Sequence, residues 1–173
     1  TDGAWKDHTP WLQRMFHGSN PSNTAASAAV VCLHVGEDRW TKPGLLTHIG
    51  PSIGLDLTSG YPAELTALLC ASQVALMWKP AAIITDCESA VNLIKKGFIP
   101  RAEQKLNHAT LARLLVRYSR KLKPSMYRHT YAHLDQYLPS NLHTPDQRGN
   151  ILADRTASTS QAHALWIAQH YPQ

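Results

Sequence analysis

The chain's 173 residues are 43% apolar and 17% charged, which suits one domain with an ordinary core and excludes a disordered chain. Its three cysteines, Cys32, Cys70 and Cys87, are far apart and form no CxxC pair, and no run of 18 apolar residues is present; a disulfide-built miniprotein and a membrane-spanning chain are excluded, and a reducing, intracellular compartment is expected. Seventeen Lys and Arg against twelve Asp and Glu give a formal charge of +5, a field that favours polyanionic partners without requiring one.

The first residue is Thr1 and no signal peptide precedes it, so the chain reads as a piece of a longer polyprotein with residues 1–173 as one domain. Thr1-Asp2-Gly3-Ala4-Trp5 heads a first strand, and Lys6 to Thr24 is a polar loop rich in turn formers. Ala25 to Val35 is a β-type run stopped by Gly36-Glu37-Asp38, and Leu45 to Leu57 is a second extended stretch broken by Gly50-Pro51 and Gly54. The period then changes. Pro62 to Met77 has apolar residues at helical spacing, Leu65, Leu68 and Leu76 among them, with Pro62 suited to a first turn.

Ala81-Ala82-Ile83-Ile84-Thr85-Asp86 is a short apolar strand that ends in a carboxylate. Ser89 to Lys96 reads as a helix closed by Gly97. Glu103 to Lys121 reads as another, carrying Arg113, Arg117, Arg120 and Lys121 among leucines and stopped by Pro124. Met126 to His133 is a strand and Leu134 to Thr144 a loop. Thr144-Pro145-Asp146-Gln147 starts the last helix with a cap, a first-turn proline and a glutamine three residues after the cap. That helix reaches about Ser158, and Gln161 to His170 either continues it or forms a separate one. A meander followed by crossovers predicts a mixed sheet with helices on its faces.

Four acids sit at the ends of these elements: Asp2 on the first strand, Glu64 in a first helical turn, Asp86 at a strand's carboxyl end, and Asp154 one turn after Asn150 on the last helix. Open α/β sheets place their ligands at the carboxyl ends of strands. A cluster of desolvated carboxylates repels itself unless a cation lies between its members, and oxygen donors of this kind select Mg²⁺ or Mn²⁺. Taken singly, each acid has a plainer reading. Glu64 would favour the helix dipole, Asp86 would cap the helix that follows, Asp154 would be solvated and Asp2-Gly3 would be a turn.

The joint order of these motifs resembles the ribonuclease H family. Thr1-Asp2-Gly3-Ala4, Pro62-Ala63-Glu64-Leu65-Thr66-Ala67-Leu68, Thr85-Asp86-Cys87-Glu88-Ser89-Ala90-Val91, and His133 with Asn150-Ile151-Leu152-Ala153-Asp154 carry the resemblance over nearly the whole chain, most closely to retroelement-encoded domains. It implies an α/β ribonuclease H-like fold with a mixed five-stranded sheet, the first three strands antiparallel, two added by crossovers, and helices on both faces. It also implies an endonuclease that hydrolyses the RNA strand of an RNA/DNA hybrid with two Mg²⁺ or Mn²⁺ ions. Asp2 would bridge the ions, Glu64 and Asp86 would serve the leaving-group side, and Asp154 would serve the side that activates water. His133 would assist proton transfer or product release, with His129 the second choice, and Asn150 and Gly3 would contact substrate. The implied host is a monomeric domain fused to reverse-transcriptase or other retroelement domains, with no membrane partner. The alternatives are a catalytically inactive nucleic-acid-binding or scaffold module, and another nuclease or strand transferase on the same fold.

Overall fold

The computed structural model describes residues 2–7, 24–29, 32–34, 39–41, 46–49, 60–78, 82–106 and 108–170, and describes side chains over 60–77, 82–106 and 108–159. Most of the expected Lys6 to Thr24 loop and the end of the Leu45 to Leu57 stretch lie outside the described residues. Five short strands come first: β1 (Asp2–Asp7), β2 (Thr24–Ala29), β3 (Cys32–His34), β4 (Arg39–Thr41) and β5 (Leu46–Ile49). Then follow α1 (Tyr61–Trp78), β6 (Ile83–Thr85), α2 (Glu88–Lys96), α3 (Ala109–Leu122), β7 (Tyr127–His129) and α4 (Pro145–His170).

Among the described residues the strands form three ladders: antiparallel β1-β2-β5, the antiparallel pair β3-β4, and the parallel pair β6-β7. The meander-then-crossover order is therefore present. The run from Ala25 to Val35, however, is divided: β2 pairs with β1 and β5, whereas β3 turns back onto β4. Which ladder a strand joins is decided by its distant partners, and a composition window contains no information about those.

Helix α1 is the centre of the core. Ala63, Leu65, Ala67, Leu68, Ser72 and Ala75 on it are all buried, as suits a helix covered on most sides. It packs against α3 and against β1, β2 and β6. Leu76 lies off the buried stripe at 37% exposed, and Ala75 takes the inward position. Leu93 and Ile94 of α2, Ala112 and Leu115 of α3, Ile83 and Tyr127 complete the cluster. The exposed face of α3 carries Arg113, Arg117, Arg120 and Lys121. No helix among the described residues is long and apolar enough to cross a membrane.

Local signals fix the ends of several helices. Gly97 closes α2 in the left-handed region (φ 71°), with its N–H donated to the carbonyls of Leu93 and Ile94. At the start of α4, Thr144 N–H donates to Gln147 Oε1 at 2.8 Å and Gln147 N–H donates to Thr144 Oγ1 at 3.3 Å, a reciprocal capping box. Helix α4 then runs unbroken to His170, so Gln161 to His170 continues it.

Three expected elements are shorter than the sequence suggests; the strand expected over Ala81 to Asp86 is confined to Ile83–Thr85. The helix expected from Glu103 starts at Ala109, because Glu103–Lys105 forms a single 3₁₀ turn with no buried residue to hold it and Leu106 is extended. The strand expected over Met126 to His133 stops at His129. Its partner β6 has only three residues, and one further bond, Thr130 N–H to Thr85 O at 2.9 Å, ends the pairing.

One buried hydrogen bond ties α1 to β7. Ser72 Oγ donates to Leu68 O at 2.7 Å, so its contact with Tyr127 Oη, also 2.7 Å, uses the phenol as donor. Tyr127→Phe should then cost only about 1 kcal/mol, whereas Ser72→Ala strands a buried hydroxyl and should cost about 1–3 kcal/mol. Urea titration of both variants checks the order.

Burial raises the Tyr127 phenol above its ordinary value, and the Ser72 bond offsets part of that. Burial, followed by the charges of Cys87 and Glu103, pushes Tyr61 up to about 12. Both groups bind protons more tightly when folded, so their contribution is intact below the ordinary value of 10.0 and is lost as the pH rises from there through the folded values. The urea midpoint should fall steadily above about pH 10, and less steeply in Tyr127→Phe.

Candidate active site

Parallel pairing of β6 with β7 puts both carboxyl ends at one edge, where open α/β sheets hold their ligands. Asp86 follows the end of β6 directly, and His133 lies in the turn that follows β7. His133 is held in the left-handed region (φ 50°, ψ 31°) at the head of the 3₁₀ turn Leu134–Gln136. That backbone costs a non-glycine residue on the order of 1 kcal/mol. Its carbonyl accepts the Gln136 N–H at 3.1 Å.

Helix α4 packs against β6 and supplies the opposite side of the edge. Asn150, only 3% exposed, donates Nδ2–H to Asp86 Oδ2 at 3.2 Å. One turn further on, Asp154 Oδ2 lies 3.6 Å from His133 Nδ1, and Asp154 Oδ1 accepts the Ser158 hydroxyl at 3.4 Å. The plainer reading of Asp86 as a helix cap does not hold. Cys87 occupies the cap position of α2 without a side-chain cap bond, and the Asp86 carboxylate is turned to Asn150 instead.

Glu64 reaches the same region from the first turn of α1, half-buried between the fully buried Ala63 and Leu65. The Cys87 thiol reports this neighbourhood. Its pKa is raised first by burial and further by the negative charges of Glu64 and Asp86, against the lowering effects of the Ser89 hydroxyl and the Ala90 backbone. Two carboxylates from elements distant in sequence thus act on one sulfur atom.

Asp2 stands on β1 opposite Ala29, and Gly3 opposite Ala28. Strand β1 packs against both α1 and α4, the helices that carry Glu64 and Asp154. The Asp2 side chain lies outside the described residues. His129, the second histidine candidate, is exposed on β7, with its ring edge-to-face on Tyr131 at 5.7 Å.

Among the described residues no three His, Cys, Asp or Glu side chains form a cluster able to hold a metal ion. The donor chemistry nonetheless suits a hard cation. Glu64 and Asp86 are half-buried oxygen donors, and the buried Oδ1 of Asn150 has no hydrogen-bond partner among the described residues.

The sequence reading missed a second link between the His133 turn and α4. Arg155 donates to Asp135 Oδ2 at 3.0 Å, beside the His133–Asp154 pair. It also missed Cys87, whose thiol pKa is raised first by burial and further by the charges of Glu64 and Asp86. Neither has a local signature, since residues 135 and 155 meet only because the turn folds back on the helix.

No protein-family model matches the chain, and no curated protein matches it significantly. Solved structures do. The protease-reverse transcriptase of prototype foamy virus (PFV) matches with a TM-score of 0.62 and 18% identity over 92% of this chain, which spans 20% of that protein. The PFV RNase H domain in solution matches with a TM-score of 0.58 and 21% identity, covering 93% of this chain and 91% of that domain. With the likeness extending over more than nine-tenths of its residues, the chain has the α/β fold of a ribonuclease H-like domain.

Proposed function

We propose that the chain is a divalent-metal-dependent endonuclease that hydrolyses the RNA strand of RNA/DNA hybrids. The observation that carries this reading is the pair of contacts that α4 makes one turn apart, Asn150 with Asp86 and Asp154 with His133. It lies at the strand edge where this fold class binds ligands. The likeness to the PFV RNase H domain supports the same reading.

Asp2, Glu64, Asp86 and Asp154 would hold the Mg²⁺ or Mn²⁺ ions. Such ions, when bound, supply an activated water and neutralise charge on the phosphoryl and leaving oxygens. Asn150 holds the Asp86 carboxylate in orientation through Nδ2. Its Oδ1 is an acceptor for the ribose 2′-hydroxyl, the group that separates RNA from DNA. His133, half-exposed and beside Asp154, is placed to take or return a proton at the edge of the site. Gly3 on β1 would contact the substrate strand. The basic face of α3 would grip the phosphate backbone. In this reading β1-β2-β5 and β6-β7 belong to one mixed five-stranded sheet, the domain acts as a monomer, and residues 1–173 form one unit. The 20% share of the PFV protease-reverse transcriptase supports a position beside a polymerase.

Cleavage of a labelled RNA/DNA hybrid with Mg²⁺ or Mn²⁺ tests the proposal. Asp86→Asn and Glu64→Gln should each lose about 100-fold or more in rate. His133→Ala should lose about 10- to 100-fold in rate. No cleavage by the unaltered chain, or equal rates in Asp86→Asn, would overturn it.

A further inference from the structure

A cavity of about 320 Å³ lies between the Leu134–Leu142 segment and the first three turns of α4. Arg148, Ile151, Leu152 and Arg155 line it from the helix, one helical face round from the Asn150 and Asp154 stripe. Asp135, Ser140 and His143 line it from the segment opposite. It therefore borders the catalytic edge on the His133 side, separated by the paired contacts His133–Asp154 and Asp135–Arg155.

Its chemistry is one-sided. Arg155 is neutralised by Asp135, whereas Arg148 is exposed and makes no ion pair among the described residues, leaving one positive charge over. Ser140 adds a hydroxyl donor, and the amino end of α4 adds its partial positive charge. His143 gives an independent sign of a missing partner: it is 8% exposed, lines this cavity, and its buried Nε2 has no hydrogen bond among the described residues. Buried polar atoms are nearly always satisfied, so one left over beside a cationic cavity marks a place for an acceptor. Leu152 and Ile151 form an apolar wall on the other side.

The geometry points to a site for one sugar-phosphate unit of the nucleic-acid strand, flanking the scissile phosphate. Arg148 and Ser140 bind the phosphate oxygens, His143 Nε2 donates once the ring reorients its proton, and the leucine wall packs on the sugar. This rests on the nuclease reading for the direction of the strand, but the anion chemistry is the cavity's own.

The test is hybrid binding by the full chain without divalent metal, followed by fluorescence anisotropy across a salt series and by the His143 ring signals in NMR. Arg148→Gln should weaken binding about five- to tenfold and lower the salt slope by about one. It should also abolish the His143 shift that the hybrid causes in the unaltered chain. Arg148→Lys should keep the slope and recover only part of the affinity, since it lacks the guanidinium fork. An unchanged slope in Arg148→Gln overturns the site. So does a His143 ring that responds to inorganic phosphate but not to the hybrid, which would make this a free-anion pocket. A chain that binds in this Arg148-dependent way yet cleaves nothing keeps the phosphate site and removes the nuclease; cleavage with Arg148 indifferent does the reverse.

Discussion

The hydrogen bond from Asn150 Nδ2 to Asp86 Oδ2 is the constraint on which the candidate site depends. An asparagine side chain buried to 3% exposure must find partners, and a carboxylate at the end of an apolar strand needs a donor. Each answers the other's need. The bond fixes where α4 meets the end of β6, and with it the place of Asp154 one turn along. Because β7 runs parallel to β6, the His133 turn emerges at the same edge and reaches Asp154.

The same arrangement leaves chemistry unspent. Glu64 and Asp86 both press on the Cys87 thiol, and the Asn150 carbonyl oxygen has no partner among the described residues. Oxygen atoms gathered this way repel one another unless positive charge is added. The chain carries a formal charge of +5, with the half-buried acids Glu64 and Asp86 on one side and exposed cations on α3 and beside the α4 cavity.

What the sequence disclosed was mostly local. The Thr144–Gln147 capping box, the left-handed Gly97 and Pro62 in a first turn are each determined by a few neighbouring residues, and each stands where it was expected. What it concealed was non-local. The division between β2 and β3 depends on which strands lie alongside, and β7 is short because β6 is short. Glu103–Lys105 has helical composition but no core to rest on. Among the site residues, Asn150 meets Asp86 and His133 meets Asp154, two pairs one helical turn apart on α4. Asp2 is placed only by its strand, on β1 between helices α1 and α4.

The central claim is that acids scattered from the amino end to the last helix share one cation-binding edge. Paramagnetic relaxation by substoichiometric Mn²⁺ measures this directly in the full ¹⁵N-labelled chain. The account requires the amides around Asp2, Glu64, Asp86 and Asp154 to broaden together at the lowest Mn²⁺, before any other group. Broadening confined to scattered surface histidines and carboxylates, with these four regions unaffected, would contradict it.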